Sequence, residues 1–119
     1  MSVLIVDDSK AMRMLVQRAM KQAGYGNHEY QDACNGREAL ELIQQDTPNL
    51  VICDWNMPEM NGIELLTALR ESGIDVNFGF VTSEATTEMR SLAEEAGASF
   101  FVTKPFTAEM VGEAVRDLL

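Results

Sequence analysis

The chain is predicted to fold as an α/β protein, a doubly wound, five-stranded parallel sheet with helices on both faces. Two observations carry this. Strand-like and helix-like hydrophobic periods alternate five times across 119 residues with short connections, and parallel strands joined by right-handed helical crossovers are the economical arrangement for that order. The first, third and fourth strand segments are also apolar without a break, as strands covered on both faces are.

The elements follow in order. Val3–Val6 is a run of β-branched residues and leucine and reads as a strand. Over residues 9–23 the period changes: Met12, Leu15, Val16, Ala19, Met20 and Ala23 recur at helical spacing, and Gly24 is a natural stop. His28–Ala33 is more polar and suits an edge strand. Asn35 and Glu38 have cap-and-reply spacing, opening a helix that runs to about Gln45. Leu50–Cys53 is a buried strand. Asn61 and Glu64 repeat the capping pattern before a helix carrying Leu65, Leu66 and Leu69. Phe78–Val81 is the fourth strand, and Met89, Leu92, Ala93 and Ala96 mark the fourth helix. Phe100–Val102 is the fifth strand, and Met110, Val111, Ala114, Val115 and Leu118 line the last helix.

Length and composition narrow the function classes. Residues 1–119 make one domain with one core. The net charge of −10, from 19 acidic and 9 basic residues, repels nucleic-acid phosphates and suits a divalent cation. Apolar runs are strand-sized, well short of the roughly 20 residues that span a membrane. No signal peptide opens the chain, so a cytoplasmic location is expected. Cys34 and Cys53 fit no metal-binding or redox spacing and are expected to be a reduced, partly buried pair.

In open α/β sheets ligands sit beyond the carboxyl ends of the strands. The first strand ends in Asp7-Asp8, the third in Asp54, the fourth in Thr82-Ser83, and Thr103-Lys104-Pro105 follows the fifth. Only the second contributes nothing obvious. Three carboxylates, a hydroxyl and an ammonium would thus meet at one mouth. Two carboxylates about 4–5 Å apart repel by roughly 3–4 kcal/mol at an effective dielectric of about 20. Lys104 offsets part of that, and Mg²⁺, which favours oxygen ligands, would offset the rest. An ionised Asp54 among such cations is equipped to attack a phosphoryl group.

Asp7-Asp8, Asp54, Thr82 and Lys104-Pro105-Phe106 resemble the signature of the response-regulator receiver domain. The resemblance covers essentially the whole chain and implies flavodoxin-like strand order 2-1-3-4-5. DWNMP at 54–58 and AGAS at 96–99 are most similar to single-domain chemotaxis response regulators. By position, the resemblance implies Asp54 as phosphoacceptor and Asp8 as a Mg²⁺ ligand. It also implies Asp7 acting mainly through water and the backbone carbonyl of Asn56 completing the site. Lys104 would pair with the phosphoryl group, or with Asp54 in its absence. Thr82 would move toward the phosphoryl oxygens and let Phe101 rotate inward. The chemotaxis type has tyrosine at that place; a phenyl ring can make the same swing but offers no hydroxyl to a partner. Asn56 and Glu84 match the chemotaxis type, which implies rather fast phosphoryl loss, and the Lys104–Pro105 bond would be cis.

The implied protein is a signalling phosphoacceptor rather than a turnover enzyme, one that promotes its own phosphotransfer and dephosphorylation. A histidine kinase would donate, and the surface of helix four, strand five and helix five would control a downstream protein. A monomer is expected, with dimerisation on phosphorylation left open. No output domain is present in the chain, so an N-terminal receiver cut from a larger regulator stays an alternative. A Mg²⁺-dependent aspartyl-nucleophile phosphatase would want a second acid where Asn56 stands, and a flavin carrier would want a hydroxyl- and glycine-rich loop in place of Asp7-Asp8. A receiver-like module that takes no phosphoryl group would lack a site residue, and none is missing.

Plainer roles cover other features. His28 has no partner at ligand spacing. Trp55 reads as a loop-packing residue beside Asp54, and the eight methionines mostly as core. Gly24-Tyr25-Gly26 follows a helix and has Glu29 where a dinucleotide fingerprint needs glycine.

Overall fold

The computed structural model describes residues 1–119. Five parallel strands, β1 (Ser2–Val6), β2 (Glu29–Ala33), β3 (Leu50–Cys53), β4 (Asn77–Thr82) and β5 (Phe100–Thr103), form one sheet in the order β2-β1-β3-β4-β5. Helices α1 (Lys10–Met20), α2 (Gly36–Gln45), α3 (Gly62–Glu71), α4 (Thr87–Glu95) and α5 (Ala108–Val115) alternate with them. The doubly wound fold and strand order are those the sequence predicts.

In place of the one core expected from length, two lie on opposite faces of the sheet, because successive strand residues point to opposite sides. Leu4, Val6, Val51, Cys53, Phe78 and Phe80 face α2, α3 and α4, where Ala39, Ile43, Leu65, Leu66 and Leu69 meet them. Val3, Ile5, Leu50, Ile52, Val81 and Val102 face Val16, Ala19 and Met20 of α1 and Val111 and Val115 of α5. Every helix starts at a side-chain cap: Ser9, Asn35, Asn61, Thr86 and Thr107 each accept a backbone N–H of the first turn. Asn61 and Glu64 complete the reciprocal capping box.

Several expectations need correction. At Asn35 only half the box forms, because the Glu38 carboxylate accepts the Cys34 thiol instead. Cys34 is exposed, and only Cys53 is buried, so the two do not form the partly buried pair expected. The first helix stops as an α-helix at Met20 and widens into a π-turn over Lys21–Tyr25, with Gly24 taking the positive φ (104°) that ends it. Leu15, Leu92 and Met110 lie on exposed helix flanks rather than in the core, and Met20 is the only buried methionine. The buried faces of these short helices are narrow, holding three residues of α1, one of α4 and two of α5, so apolar residues beside them face solvent.

Candidate functional site

The sheet's hydrogen-bond ladder runs on past the strand ends and fixes the backbone of the predicted site. Asp7 N–H donates to Ala33 of β2, Asp54 N–H to Val6 of β1, and Lys104 N–H to Thr82 of β4, at 3.1, 2.9 and 2.8 Å. Asp7, Asp54 and Lys104 thus each stand one residue beyond a strand, backed by a neighbouring strand.

Around these anchors the loops pass closely. Gly62 N–H donates to the Trp55 carbonyl at 2.8 Å, and a Cβ on Gly62 would stand 2.3 Å from the Asp54 carbonyl oxygen. No larger residue fits there. A tight turn at Glu59 (φ 66°), closed by Met60 N–H on the Pro58 carbonyl, brings the loop back toward α3. The Met60 carbonyl in turn accepts from Gly36 at 3.1 Å.

Ligand oxygens of Asp7, Asp8 and Asp54 lie within 4.8 Å of one another. Lys104 Nζ sits between two of them, 3.1 Å from Asp7 Oδ2 and 3.3 Å from Asp54 Oδ2. Its partner is therefore a pair of acids rather than Asp54 alone. The other oxygens are held by backbone: Asp7 Oδ1 accepts Ser9 N–H at 2.9 Å and Asp54 Oδ1 accepts Trp55 N–H at 2.7 Å. Asp8 is exposed, and its carboxylate makes no hydrogen bond or ion pair.

Burial pushes the Asp7 carboxyl above its ordinary range, against the pull of the Ser9 and Lys104 hydrogen bonds, and the Asp54 charge adds to the rise. The Cys53 thiol, fully buried beneath Asp54, is pushed well up by burial first and by both acids after it. It stays protonated and donates to the Asp54 carbonyl. One ammonium against three converging carboxylates leaves a deficit of positive charge, and the donors are hard oxygens. Both properties fit Mg²⁺.

Thr82 is fully buried at the end of β4, and its hydroxyl accepts the Glu84 N–H at 3.4 Å rather than bonding Asp54 or Lys104. Above it the Asn56 side-chain amide donates to the Glu84 carboxylate at 3.1 Å, linking the loops after β3 and β4. Phe101 is half-buried, with ring centroids 5.9 Å from Phe80 and 6.3 Å from Trp55, and the Arg90 guanidinium lies 4.7 Å over its ring. Trp55 is more than loop packing: it is 7% exposed and belongs to the core. The Lys104–Pro105 bond is cis, as the resemblance implies.

One pair escaped the sequence reading. Arg13 of α1 donates to Asp32 Oδ2 at 2.8 Å and to the Asp7 carbonyl at 2.6 Å, so the edge strand β2 does reach the site. The available signal was a charged residue on the inward side of α1, one turn after the Ser9 cap.

Residues 3–116 match the family model of the response regulator receiver domain. The chain belongs to that family. This receiver is 34% identical to chemotaxis protein CheY of Pseudomonas aeruginosa, across 99% of its own length and 95% of that protein's. It is 36% identical to response regulator MprA of Mycolicibacterium vanbaalenii across 98% of its own length, but spans about half (49%) of that protein. Among solved structures it resembles chemotaxis protein CheY4 of Vibrio cholerae, at TM-score 0.85 and 32% identity over 99% of this chain and 98% of that one. A LuxR-family DNA-binding response regulator from Staphylococcus aureus superimposes at TM-score 0.88 and 27% identity, over 98% and 97% of the two chains. The receiver is thus a two-component signalling domain of a family of phosphoacceptors that work with histidine kinases. Receivers generally use Mg²⁺ at an acidic pocket, and here Asp7, Asp8 and Asp54 form such a cluster. No helix is long and apolar enough to cross a membrane.

Proposed function

We propose that residues 1–119 form one receiver domain in which Asp54 accepts a phosphoryl group from a phosphohistidine of a partner kinase. The observation that carries this reading is the placement of Lys104 between Asp7 and Asp54, with Asp8 unengaged beside them. Asp7, Asp8, Asp54 and the backbone carbonyl of Asn56 would hold Mg²⁺. Bound there, the ion supplies positive charge to the phosphoryl oxygens and to the crowded acids.

The protein's own groups do the rest. Hydrogen bonds from Trp55 and Lys104 orient the Asp54 carboxylate. One of its oxygens forms a bond to phosphorus as the phosphorus–nitrogen bond breaks, and the imidazole nitrogen keeps that electron pair. Lys104 then exchanges Asp54 for a phosphoryl oxygen. Thr82 gives up the Glu84 N–H and turns its hydroxyl to another. Phe101 follows inward, and the surface of α4, β5 and α5 changes for a downstream protein. Chemotaxis is the setting favoured by the DWNMP stretch and by the relatives' names. The MprA relative, half covered, supports a second reading in which the receiver controls an output domain.

Trp55 tests the site. Its N–H touches Asp54, and its ring packs on Phe80 at 4.9 Å, so a charge change at Asp54 is within reach of its emission. Millimolar Mg²⁺ is expected to change the fluorescence. Acetyl phosphate is then expected to change it again in the wild type and not in Asp54→Asn. Silence to both additions would contradict the reading.

A further inference from the structure

We propose that Arg13, braced by Asp32, is a positioning residue that holds the turn after β1 in the shape at which Asp7 and Asp8 take a divalent cation. This rests on the metal-site reading above and extends it to residues outside the acidic cluster.

The argument starts from Asp8. Its side chain is exposed and bonded to nothing, so only its backbone aims it. The peptide plane leading into Asp8 carries the Asp7 carbonyl, and that carbonyl accepts from Arg13 Nη1 at 2.6 Å. Rotation of the plane, which would swing Asp8 away from Asp7 and Asp54, breaks that bond. The other three sides of the turn are already held: the Asp7 N–H by Ala33, and its two carboxylate oxygens by Ser9 and Lys104. Arg13 closes the remaining one.

Asp32 fixes Arg13 in turn. The Nε–Oδ2 bond is 2.8 Å, with the arginine side chain 14% exposed and the aspartate 59% exposed. An ion pair with so exposed an acid adds little stability. What the pair does supply is direction, since a planar guanidinium bonded at Nε presents Nη1 at a set angle. Outer partners of this kind tune metal affinity by orienting the ligands.

Charge gives the test its sign. Arg13 is a cation near the site, so by relief of Coulomb repulsion alone its removal would tighten Mg²⁺ binding. Loss of positioning would weaken it. We would titrate the wild type, Arg13→Met, Arg13→Lys and Asp32→Asn with Mg²⁺, following backbone amide shifts by NMR, and measure metal-free unfolding of each. Arg13→Met is expected to bind about ten-fold more weakly. Arg13→Lys, which keeps a donor for the Asp7 carbonyl but not the fork that Asp32 sets at an angle, is expected to lose less. Equal or tighter binding by Arg13→Met would overturn the proposal, as would a fall in unfolding midpoint with affinity unchanged. Should Arg13→Met not fold, Arg13→Lys decides: wild-type affinity there overturns the proposal. A wild type that binds no Mg²⁺ would remove the metal-site reading and this proposal together, whereas a binding wild type with an indifferent Arg13 removes only the latter.

Discussion

Burial raises the Asp7 carboxyl above its ordinary range, while Ser9 and Lys104 pull it back and the Asp54 charge pushes it further up. An acid with a raised value in the folded state binds its proton more tightly there than in the unfolded chain. Its ionisation therefore opposes folding: the cost is absent in acid, grows as pH rises toward the folded value, and is complete above it. Metal-free Asp7→Asn is expected to be about 1 kcal/mol more stable than the wild type at neutral pH. That gain should shrink toward acid pH as the wild-type carboxyl protonates, and denaturant unfolding at the two pH values checks it. The same variant is expected to lose most of the stabilisation that Mg²⁺ gives the wild type. Asp7, Asp8, Asp54 and Lys104 were legible in the sequence because each follows an unmistakable strand. Arg13 and Asp32 were not, since they meet across 19 positions of sequence and neither sits in a motif.

The elements divide in the same way. Strands were readable because runs such as Val3–Val6 and Leu50–Cys53 are buried on both faces. Helix surfaces were less so. Leu15 and Leu92 have helical spacing, yet stand 48% and 42% exposed, because hydropathy alone does not say how wide a buried stripe is. Caps gave a mixed result for a local reason. Asn61 and Glu64 bond each other's backbone, whereas Glu38 has the Cys34 thiol as a competing donor. The two helix starts should respond differently. Asn61→Ala is expected to cost about 1 kcal/mol in unfolding free energy. Glu38→Ala should cost less than Glu64→Ala, since only Glu64 reaches back to its cap. Comparative thermal unfolding of the three variants reads this directly.

Across the whole molecule, the double winding creates the site. With β1 and β3 adjacent and crossovers leaving on opposite faces, the turn carrying Asp7 and Asp8 and the loop carrying Asp54 open side by side. β4 and β5 extend the same edge to Thr82 and Lys104. A sheet in another order would scatter these residues. The central claim, that this edge exists to phosphorylate Asp54, has a direct measurement. Wild type and Asp54→Asn would be incubated with acetyl phosphate, with Mg²⁺ or with a chelator, and their intact masses recorded. The wild type is expected to gain the mass of one phosphoryl group only with Mg²⁺, and Asp54→Asn none. Equal labelling of both proteins, or an unlabelled wild type under Mg²⁺, would contradict it.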